Sequence, residues 1–546
     1  MTAGPRVVVV TGGGAGIGAG IAEELGRRGA FVVTMDPLVT LDGAEQLPVP
    51  EETTAGRIVA AGGSARASSA SVTDAEAVHD LFEELAGEHG RLDAVINVAG
   101  ITRPSSYASG TEEDWLGVLS VHLDGYRNVL EAALPIMAAA GHGRILGVTS
   151  GSGWRAADAG AYSAAKRAVA AFTWQLGRVA PPGVVVNAIS PIAVTRMVTA
   201  ALERAQAASG GASGSRSATG GLSLGSMPEP AHLGPLGAHL VGEDLAWCTG
   251  QAIFAGGAEV AVIDQPRLLE VVRTDGVASL AGVLEAVAPA WARAEAEQVS
   301  GGGTNPRFGT AFEEPAADLP AAAVASCAIV TDRPALASNV TAALKARGVR
   351  CHTVARDDVA SGFAGAAEAL ASTAELLGAL DAVVLGLAGR APAADAAAGW
   401  ERVLAEHETI VAELHADAAW TRAAADHAAR TDRPLRLVTL TDATTAGGRS
   451  RAQSSAQLSR SARKTTHEQV VAFAVSVEAA DEPVGELTAH LLCSPSSPDL
   501  SGAELVVARG WCGLRSHPRP GGSISFGGPS LPEWFDDALR EIVDAR

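Results

Sequence analysis

The sequence predicts two tandem α/β domains, each a doubly wound parallel sheet with helices on both faces. Two observations predict this. Through the first half, short β-branched runs alternate with Ala-rich amphipathic segments, the pattern of parallel strands joined by crossover helices. The pattern then restarts: SCAIVTDRPALASNVTAALKARGVRCHTV mirrors VVVVTGGGAGIGAGIAEELGRRGAFVVTM, and LDAVVLGLAG at 380–389 echoes LDAVINVAG at 92–100. With 546 residues, the chain has room for a substantial core in each half.

In order along the first half, RVVVVTG reads as a strand, GIAEELGRRG as a helix, and AFVVTMD, LDAVINVAG and GRILGVTS as further strands. The stretch ASGGASGSRSATGGLSLGS at 208–226 has the composition of a loop; its place before the last helix suits an active-site lid or, equally, a surface insertion. SGGGTNPRFGTAFEEPAADLPAA combines Gly, Pro and small residues without any period, which reads as a linker. The expected division is therefore a first domain at 1–298, a linker at 299–322 and a second domain at 323–546. In the second domain Trp400 follows LDAV much as Trp115 follows the first, and RLVTLTD at 436–442 stands where RILGVTS stands, so one duplication is expected, not a solenoid.

A formal net charge of −20, with no dense Lys/Arg run, disfavours nucleic acid and anionic membrane surfaces as partners. The five cysteines have no CxxC spacing and the histidines no ligand spacing, so no disulfide framework and no metal are expected, and a reducing cytoplasm fits best. The apolar run after MTAGPR is too short for a signal peptide or a membrane span and reads as a buried strand.

TGGGAGIG at 11–18 follows a strand and opens a helix, so Gly12, Gly16 and Gly18 can bring backbone N–H groups to a pyrophosphate at the helix's positive end. The next strand ends in Asp36, whose carboxylate can accept from ribose hydroxyls and would repel the extra phosphate of NADP; NAD is the expected cofactor. Tyr162 and Lys166, four apart in AGAYSAAKRAVAAF, share one helix face, and an ammonium beside a phenol favours phenolate, which makes an acid/base pair. Ser150 ends GRILGVTS twelve residues before Tyr162 and can hydrogen-bond a substrate oxygen; Ser152 is its rival.

These motifs, with NVAG at 97–100 and VNAISPIAVTRM at 186–197, resemble the short-chain dehydrogenase/reductase family over about 1–270. The resemblance implies a Rossmann fold and hydride transfer between nicotinamide and a secondary alcohol or ketone. In it Tyr162 is the acid/base, Lys166 lowers its pKa and binds the nicotinamide ribose, and Ser150 orients the substrate. It implies a cofactor cradle of Thr11, Gly12, Gly16, Ile17, Gly18, Asp36, Ser71, Val72, Asn97, Ala99, Gly100, Tyr162, Lys166, Pro191 and Thr195. His122 stands where many members carry the Asn of a proton relay, Ser71 where an Asp contacts adenine, Val98 where a second Asn is common and Ile192 where a Gly follows proline. The segment after Asp36, DWLGVLSVHLDGY and PIAVTRM are similar to the dehydrogenase unit of multifunctional β-oxidation enzymes, which implies a 3-hydroxyacyl-CoA/3-oxoacyl-CoA pair as substrate; steroid or cyclic secondary alcohols are the alternative. A sensor or scaffold that binds NAD without turnover is the competing class. Trp115 and Trp154 read as packing residues, and Asn187 as a tie between loops.

The second domain reads as a degenerate copy. TDRPALA at 331–337 replaces the glycines with Asp332 and larger residues, which repel and obstruct a pyrophosphate, and all three tyrosines, Tyr107, Tyr126 and Tyr162, lie in the first half. SSAQLSRSARK offers no substitute acid/base. Family members dimerise through the helices flanking the site, so the copy is expected to cover the helix of Tyr162 as an intrachain pseudo-dimer partner, and two such chains to form a homodimer.

Overall fold

The computed structural model describes residues 4–200, 227–277, 279–298, 324–355, 361–393, 398–479, 484–528 and 530–545. The expected lid at 208–226 and linker at 299–322 lie outside the described residues. The first half contains β1 (Val7–Thr11), α1 (Gly16–Arg27), β2 (Phe31–Met35), α2 (Thr54–Ala60), β3 (Ser64–Ser68), α3 (Ala75–His89), β4 (Ala94–Asn97), α4 (Glu112–Leu119), α5 (Gly125–Ala140), β5 (Gly143–Val148), α6 (Ala161–Gly177) and β6 (Val184–Pro191). The short α7 (Gly234–Leu240) leads to the hairpin β7 (Ala252–Gly256) and β8 (Glu259–Ile263). Next come β9 (Leu268–Arg273) and α8 (Leu280–Ala296).

The pattern then repeats as β10 (Ser326–Val330), α9 (Pro334–Lys345), β11 (Arg350–Val354), α10 (Gly362–Leu377), β12 (Ala382–Leu385), α11 (Gly399–Glu406), α12 (Ile410–Thr431), β13 (Leu435–Asp442), α13 (Ala446–Thr465), β14 (Val470–Val477) and α14 (Val484–Cys493). The hairpin β15 (Glu504–Ala508) and β16 (Trp511–Arg515), then β17 (Pro520–Ser525) and α15 (Phe535–Asp544), complete it.

Two sheets result, ordered β17-β8-β7-β6-β5-β4-β1-β2-β3 and β11-β10-β12-β13-β14-β15-β16-β9. Both are parallel through their centres, with antiparallel strands only at the hairpin end. The buried valines of β1 and the buried strand β10 meet helices on both faces, which is why these segments are apolar without alternation. In the first sheet the order reverses at β1, between β2 and β4, and opens a crevice at the carboxyl ends of those strands.

The sheets do not divide the chain at the expected 298/299 border. β9, from the first half, is the edge strand of the second sheet, and β17, from the second half, is the edge strand of the first. The two connections cross where Asp264 N–H donates to Arg519 O (2.7 Å) and Ser516 N–H to Arg267 O (2.8 Å). α15 follows β17 and buries Phe535 and Leu539 in the first half's core beside Leu236 and Ile253. The free edge of each hairpin needs a partner, and each finds it in the other half; such long-range pairing leaves no local mark in sequence.

The halves also meet through helices. α6 lies along α13: Ser454 Oγ donates to Ala164 O (2.8 Å), and Gln175 Nε2 reaches Ala446 O and Ser450 Oγ (3.1 and 3.0 Å). Phe172 stacks on His407 with ring centroids 3.8 Å apart. Arg167 and Glu504, both fully withdrawn from solvent, pair across the contact at 2.8 Å.

Candidate active site

The turn between β1 and α1 is built by close backbone approach. Gly12 has φ +63°, and a Cβ there would lie 2.8 Å from the Ala99 backbone; a Cβ on Gly18 would lie 2.2 Å from Gly12 O. Thr11 ties this turn to the end of β4, its hydroxyl donating to Asn97 Oδ1 (2.7 Å) and accepting from Ala99 N–H (3.1 Å). At the start of α1, Ala15 offers no side-chain cap and the first turn carries no acidic residue, so the helix presents N–H groups that suit a phosphate anion.

Asp36 closes one side of this cradle: its carboxylate accepts from Gly14 N–H (2.9 Å) and Leu38 N–H (2.8 Å). Ile17 packs partly buried on the core beneath α1. The Thr195 methyl stands 3.8 Å from where a Cβ on Gly16 would lie, which puts the segment after Pro191, the end of β6, over the turn. Val72 packs against Gly125 while its carbonyl accepts from Asn128 Nδ2 (2.9 Å), and the Ser71 hydroxyl faces that of Thr73 (2.8 Å). These features fit a nicotinamide dinucleotide: a glycine cradle too tight for side chains, an uncapped helix end for its pyrophosphate and a carboxylate for its ribose.

Beyond Ala99 the crevice leads to the tyrosine. His122 sits in a π-helical turn, Ser120–Asp124, between α4 and α5; its Nε2 meets Ile101 O at 2.9 Å, and only a glycine at position 100 leaves room for its ring. The His122 ring meets the Tyr162 ring edge-on, centroids 5.2 Å apart. Burial and the neighbouring Lys166 push the His122 pKa well down, so the imidazole is neutral.

Ser150 extends from the end of β5 toward the Tyr162 phenol, and its hydroxyl also accepts from Ser152 N–H (3.2 Å). The Ser150 side chain acts to lower the Tyr162 pKa, while Ser152 contributes its carbonyl to a contact with the second half. Lys166 Nζ lies 5.6 Å from the Tyr162 ring centroid and donates to Val148 O (2.6 Å).

The electrostatics differ from the sequence expectation. Burial raises the Tyr162 pKa, opposed by the Ser150 side chain, and burial lowers Lys166 to about 7. The anticipated lowering of the phenol by a neighbouring ammonium does not dominate here, because both groups are withdrawn from water and the lysine is turned onto a carbonyl.

Trp154 donates to Ser190 Oγ (3.0 Å) and meets Phe254 edge-on; Trp115 is buried and donates to Ser109 O (3.4 Å). Asn187 ties loops, donating to Cys248 O and accepting from Gln251 N–H (both 2.8 Å). Sequence reasoning missed Ser105, whose hydroxyl accepts from Ala161 N–H (3.2 Å) at the start of α6, and Asp158, which accepts from the N–H groups of Tyr107 (2.9 Å) and Gly160 (3.2 Å). Neither lies in a recognisable motif.

In the second half the corresponding turn is closed by its own carboxylate. Asp332 accepts from Ala388 N–H (2.7 Å), Arg333 pairs with Asp442 (3.7 Å), and the buried Arg451 forms a two-pronged pair with Asp417 (2.7 and 2.6 Å).

Among the described residues no group of His, Cys, Asp and Glu is arranged to hold a metal ion, and no helix is long and apolar enough to cross a membrane. A sequence profile described as short chain dehydrogenase matches residues 6–207. The chain is 36% identical over 200 residues to the short-chain reductase protein NovJ of Streptomyces niveus, covering 36% of this chain and 73% of that one. It is 31% identical over 264 residues to the peroxisomal hydratase-dehydrogenase-epimerase of Neurospora crassa, covering 48% of this chain but only 27% of that relative. With the 3-oxoacyl-(acyl-carrier-protein) reductase of Haemophilus influenzae it shares 28% identity over 255 residues, 46% of this chain and 97% of the other.

Proposed function

The chain belongs to the short-chain dehydrogenase family, and we propose that its single complete site is an NAD-dependent alcohol dehydrogenase or ketone reductase acting on a secondary alcohol/ketone pair, with 3-hydroxyacyl/3-oxoacyl thioesters as the substrate class. One observation carries this reading. Ser150, Tyr162, Lys166 and His122 converge beside a glycine cradle and an uncapped helix N-terminus, at the carboxyl edge of the sheet. The likeness to a 3-oxoacyl-(acyl-carrier-protein) reductase supports the acyl class, and that to a hydratase-dehydrogenase-epimerase supports a dehydrogenase. The carboxylate of Asp36, set against Gly14 N–H, supports NAD over NADP.

Bound nicotinamide supplies the hydride acceptor or donor. The remaining work belongs to this chain's residues. Ser150 holds the substrate oxygen, and Tyr162 gives that oxygen a proton or takes one from it. Lys166 would hold the nicotinamide ribose, and its ammonium beside the phenol would favour the phenolate form. His122, neutral and hydrogen-bonded to Ile101 O, fixes the wall against which the Tyr162 ring rests and stands where a proton relay would pass. Contact along α6 and α13 supports the second half as an intrachain pseudo-dimer partner; a homodimer of such chains, in a reducing cytoplasm that keeps all five cysteines free, completes the reading.

The test follows NADH absorbance with 3-hydroxyacyl-CoAs, hydroxysteroids and cyclic secondary alcohols. Turnover on the acyl thioesters, falling at least about a hundredfold in Tyr162→Phe, is expected. NAD binding without turnover on any of them would assign the chain to the sensor class instead.

A further inference from the structure

The segment in which the second half lost its acid/base is the most polar helix of the core. α13 reads AGGRSRAQSSAQLSRSARKT, yet fourteen of its residues are buried. A polar helix is buried only where other groups satisfy its donors and acceptors. Its first part bonds to α6, and its last part, from Gln457 on, bonds to one short piece of the first half, residues 152–158, which join Ser150 to Tyr162.

Gln457 Nε2 donates to the carbonyls of Ser152 (3.0 Å), Arg155 (2.7 Å) and Ala157 (3.3 Å). Arg460 Nη1 donates to Trp154 O (2.9 Å). Thr465 Oγ1 donates to the Asp158 carboxylate, which in turn accepts from the N–H groups of Tyr107 and Gly160 on either side of the tyrosine's helix start. Since all three Gln457 partners are carbonyls, its amide nitrogen must face them. Within the loop itself the backbone makes a tight turn, from Ser150 and Gly151 to residues 153–155, and a bond from Ala157 N–H to Arg155 O. The carbonyls of Ser152, Trp154 and Arg155 are thus met from the other half of the chain, while Ser163 Oγ also donates to Ala157 O (3.3 Å) and Trp154 donates to Ser190 Oγ within the first half.

We propose that Gln457, with Arg460 and Thr465 beside it on α13, is a positioning residue that sets the distance and orientation between Ser150 and Tyr162. The degenerate helix has become a hydrogen-bond template for the catalytic loop. It acts on the substrate end of the site; the turn at 11–18 and Asp36 have no contact with it among the described bonds. The kinetic part of this inference rests on the oxidoreductase reading; the structural part does not.

The test uses the full chain carrying Gln457→Met, which keeps length and apolar volume while removing the donor. Hydrogen exchange followed by mass spectrometry should show amides of 152–160 losing protection by about tenfold or more, with 12–20 unchanged. In steady-state kinetics kcat/KM for the alcohol should fall about tenfold to a hundredfold, while the NADH dissociation constant stays within about twofold of wild type. Unchanged exchange at 152–160 in folded Gln457→Met, or an equal loss of NADH binding, overturns the proposal. If that variant does not fold, Thr465→Val removes the hydroxyl at the other end of the same loop, and the same two readouts decide. A wild-type chain with no turnover would refute the oxidoreductase reading, and exchange would still decide for Gln457.

Discussion

Asp36 offers the sharpest test of cofactor choice. Its two carboxylate oxygens are held by Gly14 N–H at 2.9 Å and Leu38 N–H at 2.8 Å, so the charge cannot swing away from an incoming nucleotide without breaking two hydrogen bonds. At a separation of about 4 Å and an effective dielectric of about 20, suited to a half-exposed group, one extra negative charge on the ribose costs about 4 kcal/mol. That is about a thousandfold preference for NAD over NADP. Asp36→Asn removes the charge at constant shape. The amide can accept from only one of the two N–H groups, so NAD use should fall by about 1 kcal/mol, roughly fivefold, while the discrimination collapses to about tenfold or less. Steady-state kcat/KM with NADH and NADPH on the same ketone gives both ratios. A wild-type enzyme that uses the two cofactors equally, or a variant with an unaltered ratio, would refute the electrostatic argument.

Three further outcomes are expected. Lys166 is pushed from its ordinary value down to about 7 by burial, so between about pH 7 and 10.5 the unfolded chain binds a proton at this side chain that the folded one does not, and its contribution to stability rises with pH across that window; the difference between melting curves of the ligand-free wild type and Lys166→Met should show this slope, the variant melting higher at pH 7. Phe535→Ala should cost about 3–5 kcal/mol and destabilise the first half although the residue lies in the second, because its ring is buried in the first half's core; local exchange at β8 and α7 would report it, and a loss confined to the second half would contradict the strand exchange. Removing either Arg167 or Glu504 alone should cost about 3–5 kcal/mol, since each leaves a buried charge unpaired, and replacing both by apolar residues should cost far less than the sum; strict additivity in a denaturant double-mutant cycle would show that the pair is not coupled.

Much of the site was legible because its geometry is local. The glycine turn, the strand-end Asp36 and the four-residue spacing of Tyr162 and Lys166 are each encoded within a few positions, and their chemistry follows from residue type. The repeat was legible for the same reason, since LDAV recurs at 92–95 and 380–383 and the strand–helix–strand opening of each half can be matched segment by segment. Two things were not. The exchange of β9 and β17 depends on which of two similar hairpin edges a strand finds, and nothing in LLEVVR or PGGSIS states a partner. The role of Gln457 depends on packing across about three hundred residues of sequence separation, where SSAQLSRSARK shows only that a catalytic pair is missing.

The exchanged strands also bear on how the protein is made. β8 emerges from the ribosome about 250 residues ahead of β17, and at ordinary synthesis rates its edge must wait for tens of seconds before its neighbour exists. During that interval the half that carries the tyrosine is a sheet with an open, aggregation-prone border. A chain cut before Pro520 lacks β17, the strand that pairs with β8 in the first sheet. The first sheet is therefore closed on that side only once a strand from near the other end of the sequence has been made.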